Sequence, residues 1–157
     1  MSRFQIRVAA LVRIVTGAAF AALGYGKVTG AFVHGAFAQS AVEMQKTAFP
    51  FWTGFLRSVV VPHASFFGWA VALGELAVGL GLLLGLLTRA AATCGALLTV
   101  TILLGQAYVP GSSWDAWLTV ALTTKFVLLL LILLAVSPAG QAWALDTRIS
   151  KGRTARK

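Results

Sequence analysis

Polar residues interrupt this chain rarely, and the gaps between them set its elements. Four apolar runs stand out: Val8–Gly26, Phe67–Leu87, Ala90–Val109 and Leu118–Val136. Each is close to the ~20 residues that a helix needs to cross ~30 Å of hydrocarbon. Backbone N–H and C=O groups have no water to bond there, so each run is expected to be a helix. Runs two and three are joined only by Thr88–Arg89, which predicts an antiparallel hairpin.

The segment from Lys27 to Phe66 is long and does not span. Within it, FPFWTGFLRSVVVP (49–62) is bounded by two prolines. Phe51, Phe55 and Val59 share one helical face, flanked by Trp52 and Leu56, while Thr53, Arg57 and Ser58 take the other. It is too short to span and reads as an amphipathic helix on the outer interface. Two roles stay open for it: a cover over the bundle mouth, or a wall of a site open to lipid or quinone. The expected architecture is all-α: a single-domain integral membrane four-helix bundle with an outer interfacial helix.

Composition agrees. Of 157 residues, 59% are hydrophobic and 11% charged, against roughly 25% charged in soluble domains. A net charge of +9 would point to nucleic acid in a soluble chain. Here the basic residues gather at the chain ends and at one turn, so membrane topology accounts for them and no nucleic-acid partner is expected. Arg3, Arg7, Arg89, Arg148, Lys151, Arg153, Arg156 and Lys157 fall on one side, and Lys27, Lys46 and Arg57 on the other. This imbalance puts both termini and the Thr88–Arg89 turn in the cytoplasm, with the chain in the cell membrane. The basic tail, 147–157, is expected to meet anionic lipid headgroups. Residues 1–21 also resemble a signal peptide ending at Ala19-Phe20-Ala21, but Arg13 breaks its apolar stretch, so retention is expected.

Candidate chemistry is sparse. The lone Cys94 permits no intrachain disulfide and reads as a small packing residue. No phosphate loop, nucleophile triad or metal spacing is visible. His34 and His63 both lie outside the runs, which argues against a bis-histidine haem; His63, after Pro62, suits a capping or headgroup contact. Tyr25, Trp52, Trp69, Tyr108, Trp114 and Trp117 gather near the outer boundary, as in an aromatic belt.

What remains is three charges inside the runs: Arg13, Glu75 and Lys125. A charge inside a span marks a functional site by default. Arg13 shares a stripe with Gly17, Phe20, Ala21 and Gly24, and Glu75 shares one with Ala72 and Gly79. Small-residue stripes are where membrane helices approach closely, so both are expected to face the bundle. Ala77, Gly81 and Gly85 form a second such ridge, and Gly95, Thr99 and Gln106 a mildly polar lining. By depth, Glu75 lies ~12 Å and Lys125 ~10 Å from the outer edge, and Arg13 ~8 Å from the inner edge. Depth favours Lys125 as the partner of Glu75 and the stripe favours Arg13. Arg13 has a third option, snorkelling to the interface. Glu75 either belongs to an ion pair that fixes helix register, or handles protons or a quinone carbonyl.

Three stretches carry a family resemblance. Arg13-x-x-x-Gly17-x-x-Phe20-x-x-x-Gly24-x-x-Lys27 resembles the first helix of the DoxX/DoxD family. GELAVGLGLLLGLLTRAA (74–91) resembles its second signature, and SPAGQAWALD (137–146) its closing Gly-x-x-x-Leu-Asp, with Asp146 at the cytoplasmic exit. The resemblance implies a four-helix bundle in the cytoplasmic membrane. One branch resembles the small subunit of thiosulfate:quinone oxidoreductase, and other members look like membrane components of redox or oxidative-stress assemblies. The positions carried over are Arg13, Lys27, Glu75 and Arg89; Lys125 matches no motif of that family. On this basis Glu75, Arg13 and Lys125 are the catalytic candidates. Lys27, Tyr25, Trp52 and Gln106 are the candidate contacts of a cofactor, for which the resemblance implies a quinone. A soluble oxidoreductase subunit is the implied partner. Two other classes stay open: a non-catalytic membrane scaffold and a small proton-coupled transporter.

Overall fold

The computed structural model describes residues 3–108, 111 and 113–137. The basic tail, Asp146 and the closing motif lie outside them. Among the described residues every regular element is a helix: α1 (Arg3–Thr29), α2 (Phe37–Met44), α3 (Pro50–Phe55), α4 (Ala64–Leu84), α5 (Thr88–Gln106), α6 (Trp114–Thr119) and α7 (Leu122–Val136). Helices α1, α4 and α5 are long and apolar enough to cross a membrane, and α7 is a shorter apolar helix.

Packing starts from α1 on α4, which run antiparallel. A Cβ on Gly17 would stand 2.7 Å from the Leu83 nitrogen, and one on Gly24 would run into the backbone of Leu76. From the other side, a Cβ on Gly79 would strike the Ala21 backbone. The two backbones therefore touch along the predicted stripes. Large apolar side chains point outward instead: Leu11, Val15, Leu23, Leu73, Leu97, Phe126 and Leu129 are all exposed. That inversion suits a lipid exterior, where association rests on close backbone packing.

The α4–α5 turn lies earlier than the sequence suggests. Gly85 takes φ +65 and ends α4. The Leu86 N–H donates to the Gly81 carbonyl at 3.0 Å and the Gly85 N–H to the Leu82 carbonyl at 3.3 Å. This double closure is the Schellman motif, which needs a left-handed residue after the last helical turn. Gly85 therefore terminates the helix rather than extending a packing ridge, and Thr88 already opens α5. Gly81 does belong to the ridge, since its Cβ would lie 2.9 Å from that of Ala91 on α5.

The fourth run also differs from the expected 118–136 span. Val120 is extended and Ala121 takes φ +53, so the run breaks into α6 and α7. The Lys125 ammonium donates to the Trp117 carbonyl at 2.5 Å and lies 3.7 Å from the centre of the Trp117 ring. A cation at the end of α6 satisfies a carbonyl that the interrupted helix leaves open. Helix α7 keeps 15 residues and reaches ~22 Å. It packs on α5, where Gly95 leaves room for Leu131 of α7 and Val78 of α4.

Residues 30–63 form a cap over one end of the bundle. The chain kinks at His34–Gly35, where Gly35 takes φ +129. Helix α3 begins at Pro50, whose fixed φ suits a first helical position. It continues through a wide turn, Leu56–Val60. Leu56 and Val60 face the bundle and join Phe37, Ala41, Ala48 and Ala64 in a second core. Phe51, Phe55 and Val59 are all exposed, so the face read as the apolar one stays outside the core, with Phe55 alone reaching the edge of the Phe67 ring on α4. A strap at Thr47–Phe49 fastens the cap to α5: the Phe49 N–H donates to the Leu104 carbonyl and the Thr47 hydroxyl to the Gly105 carbonyl, each at 3.0 Å. These bonds satisfy carbonyls that the end of α5 would leave bare.

The α1–α4 contact makes a direct prediction. Gly24→Val or Gly79→Val should cost about 1–3 kcal/mol through overpacking and lower the melting temperature in detergent. Gly74→Ala should leave it unchanged, because the nearest atom to a Cβ there is 3.9 Å away.

Candidate functional site

Close approach at Gly24 decides what meets Glu75. Helix α1 runs on to Thr29, so Lys27 is helical and stands one turn past Gly24 on the same stripe. Gly24 lies against Leu76 and Ala72 of α4, which brings Lys27 beside Glu75. The Lys27 ammonium bonds Oε1 of Glu75 at 2.5 Å. The Glu75 side chain is 5% exposed and that of Lys27 25%. The second carboxylate oxygen, Oε2, is buried and has no hydrogen-bond partner among the described residues.

Neither partner expected for Glu75 reaches it. The antiparallel register sets Arg13 against the far end of α4, below Gly17 and Leu83. There the guanidinium, 1% exposed, donates to the Leu82 carbonyl at 3.1 Å. It neither pairs with Glu75 nor snorkels; it meets the negative end of the α4 dipole. Lys125 is engaged with Trp117 at the α6–α7 break. A run ending at Gly26 left Lys27 outside the first helix, which in fact continues to Thr29. The stripe that already joined Gly24 to Lys27 was the signal for the pair.

A groove of about 930 Å³ opens beside the pair, between the cap and α4–α5. Lys27, Trp52 and Gln106 line it, as do Phe32, Phe37 and Phe67. The Lys27 ammonium stands 4.9 Å from the centre of the Phe32 ring, so it touches both Glu75 and the groove wall. Trp52 stacks on Phe55 with ring centres 4.7 Å apart. Tyr25, the fourth candidate contact, does not line the groove: one residue past Gly24 it has turned off the packed face and is 64% exposed. The walls contributed by Phe32 and Met44 went unread because nothing in the local pattern says where a cap folds back. Gln106 sits on this groove, whereas Gly95 and Thr99 turn into the core, where the Thr99 hydroxyl donates to the Gly95 carbonyl at 2.8 Å.

The other chemical candidates fall elsewhere. His34 packs edge-on to Trp69, with ring centres 6.4 Å apart. The His63 Nδ1–H donates to the Val59 carbonyl at 3.0 Å, closing the turn before α4 rather than capping it. Cys94 is exposed on α5, not packed inside as its small size suggested.

The stripes from Arg13 to Lys27 and around Glu75 are thus both in place, in one crossing. A DoxX family model matches residues 8–107, from α1 through α5. The chain belongs to the DoxX family. No curated protein and no solved structure matches it. With its three span-length helices, this DoxX chain is a multi-pass membrane protein. The matched segment contains Lys27, Glu75 and the strap at Thr47–Phe49, while α7 follows it.

The pair makes a prediction separate from any activity. Removing one partner strands the other, which costs up to about 3–5 kcal/mol for a fully buried pair and less where Lys27 reaches solvent. Lys27→Met and Glu75→Leu should each lower the detergent melting temperature. The double variant should recover part of that loss, by a coupling of about 1–3 kcal/mol in a double-mutant cycle. Additive losses would mean that the two charges do not interact.

Proposed function

We propose that this DoxX chain is a membrane subunit of a quinone-linked redox system and that the groove receives the quinone. The observation that carries the reading is a wide apolar groove, walled by aromatic rings, that also presents the Lys27 ammonium and the Gln106 amide. Ligand sites of this kind are mostly apolar with few, placed polar groups. A quinone has the matching chemistry: a flat ring, an apolar tail and carbonyl oxygens that accept hydrogen bonds. When bound it supplies an acceptor for electrons and protons.

The chain's own residues would then bind and orient. Trp52, Phe55 and Phe67 give flat apolar surface for the ring. Lys27 and Gln106 donate hydrogen bonds to carbonyl oxygens. Phe37, Leu56 and Val60 keep water from the inner wall. No electron carrier is needed in the chain under this reading, because a soluble oxidoreductase subunit delivers the electrons. Cytoplasmic termini and a tail, KGRTARK, held at anionic headgroups complete the proposed topology. The scaffold reading draws on the Lys27–Glu75 pair, which would fix register whether or not anything binds.

Titration of the purified protein with decylubiquinone tests the proposal. Binding should be measurable, and Gln106→Leu should weaken it about tenfold, the loss of one hydrogen bond. Trp52→Ala should weaken it as well, and Tyr25→Phe should not. Saturable binding that none of the groove substitutions alters would defeat the assignment.

A further inference from the structure

Lys27 stands between two sites. One side of its ammonium holds Oε1 of Glu75, and the same side chain lines the groove beside the Phe32 ring. The two partners differ in freedom. Glu75 is fixed on a buried face of α4, whereas Lys27 is a quarter exposed on a flexible stem near the end of α1. The Glu75 carboxylate also has a one-sided environment, since Oε2 is buried with no partner among the described residues.

The other charged groups on the elements around α4 are bonded elsewhere or stand at its far end. On α1, Arg13 donates to the Leu82 carbonyl at the opposite end. In the turn after α1, His34 packs on Trp69. On α2, Glu43 pairs with Lys46 at 2.7 Å. Helix α5 carries Arg89 and Cys94, Arg89 in its first turn at the far end. On α7, Lys125 is held at Trp117. Among the described residues, Lys27 is the cation that bonds Glu75.

We infer that occupancy of the groove is coupled to proton uptake by Glu75. A ligand that presents an electron-rich oxygen to Lys27 draws the ammonium off Oε1. The Nζ–H hydrogen bond to Glu75 breaks and one to the ligand oxygen forms. A carboxylate left alone in an apolar site is costly, so it takes a proton instead. That proton comes from water at the groove mouth and forms an O–H bond on the carboxylate. No electron moves, Lys27 keeps its charge, and the occupied site gains one positive charge. The competing arrangement has Lys27 serve both acceptors with separate N–H groups, in which case no proton is taken up. The inference rests on the groove being the ligand site.

Calorimetric titration of the full-length protein with decylubiquinone, in two buffers of different ionisation enthalpy, separates the two arrangements. The expected result is uptake of about one proton per ligand bound, with a dissociation constant that rises with pH, by up to about tenfold per pH unit. Glu75→Gln should still bind and should lose both effects. His34→Gln should keep both, because His34 lines a separate small cavity. Binding by the wild-type protein with no proton uptake and no pH dependence overturns the coupling and leaves the groove assignment standing. Proton uptake that persists in Glu75→Gln also overturns it. Absence of binding removes the groove assignment and the coupling together. If Glu75→Gln does not fold, absence of proton uptake by the wild-type protein still overturns the coupling.

Discussion

The rest of this structure depends on backbone contact between α1 and α4. Gly17 and Gly24 on one helix and Gly79 on the other leave no side chain between the two chains of peptide groups. In lipid, helices gain little by hiding apolar side chains from each other's surroundings, so dispersion across such a contact is what holds them. A contact this close also fixes register. Shifting α1 by one helical turn would put Phe20 or Ala21 where glycine is needed. The register then assigns the charges: Lys27 falls opposite Glu75, and Arg13 falls opposite the final carbonyls of α4. Arg13 and Lys27 are spaced along one stripe of α1 and read two different features of its neighbour.

Much of this was legible in the residues. The apolar runs locate α1, α4 and α5 because a bilayer demands both length and helix, and the small-residue stripes mark the faces that touch. Glu75 stands out because nothing else in its run is charged. Three things were not legible, each for a physical reason. Lys27 hid because the first apolar run was closed at Gly26, whereas a helix ends only where its hydrogen bonding does. The break at Val120–Ala121 hid because all its neighbours are apolar or small, and the group that stabilises it, Lys125, lies a turn further on. The groove hid because its walls come from the cap and from helices α4 and α5, brought together by strap bonds onto backbone carbonyls that carry no sequence mark.

The cap is where chemistry and architecture meet. Its own core, around Phe37, Leu56 and Val60, holds it together, and the strap at Thr47–Phe49 ties it to the end of α5. The groove is therefore bounded by elements anchored at both sides. Two of its polar groups come from the ends of helices: Lys27 from the last turn of α1 and Gln106 from the last residue of α5. Helix ends are where a membrane protein can place polar side chains without carrying them through hydrocarbon. A polar contact for a ligand at this depth thus costs the bundle little.

The shortened α7 has a consequence beyond the bundle. A helix reaching ~22 Å beside spans matched to ~30 Å presents an uneven hydrophobic belt. Lipid next to α7 must compress to cover it, or a neighbouring protein must take the place of that lipid. The mismatch is local to one side of the molecule, because α1, α4 and α5 are full length. The protein therefore has a thin side and a thick side. A bilayer under that strain orients the protein and favours company on the α7 flank, a bias written in the length of a single helix.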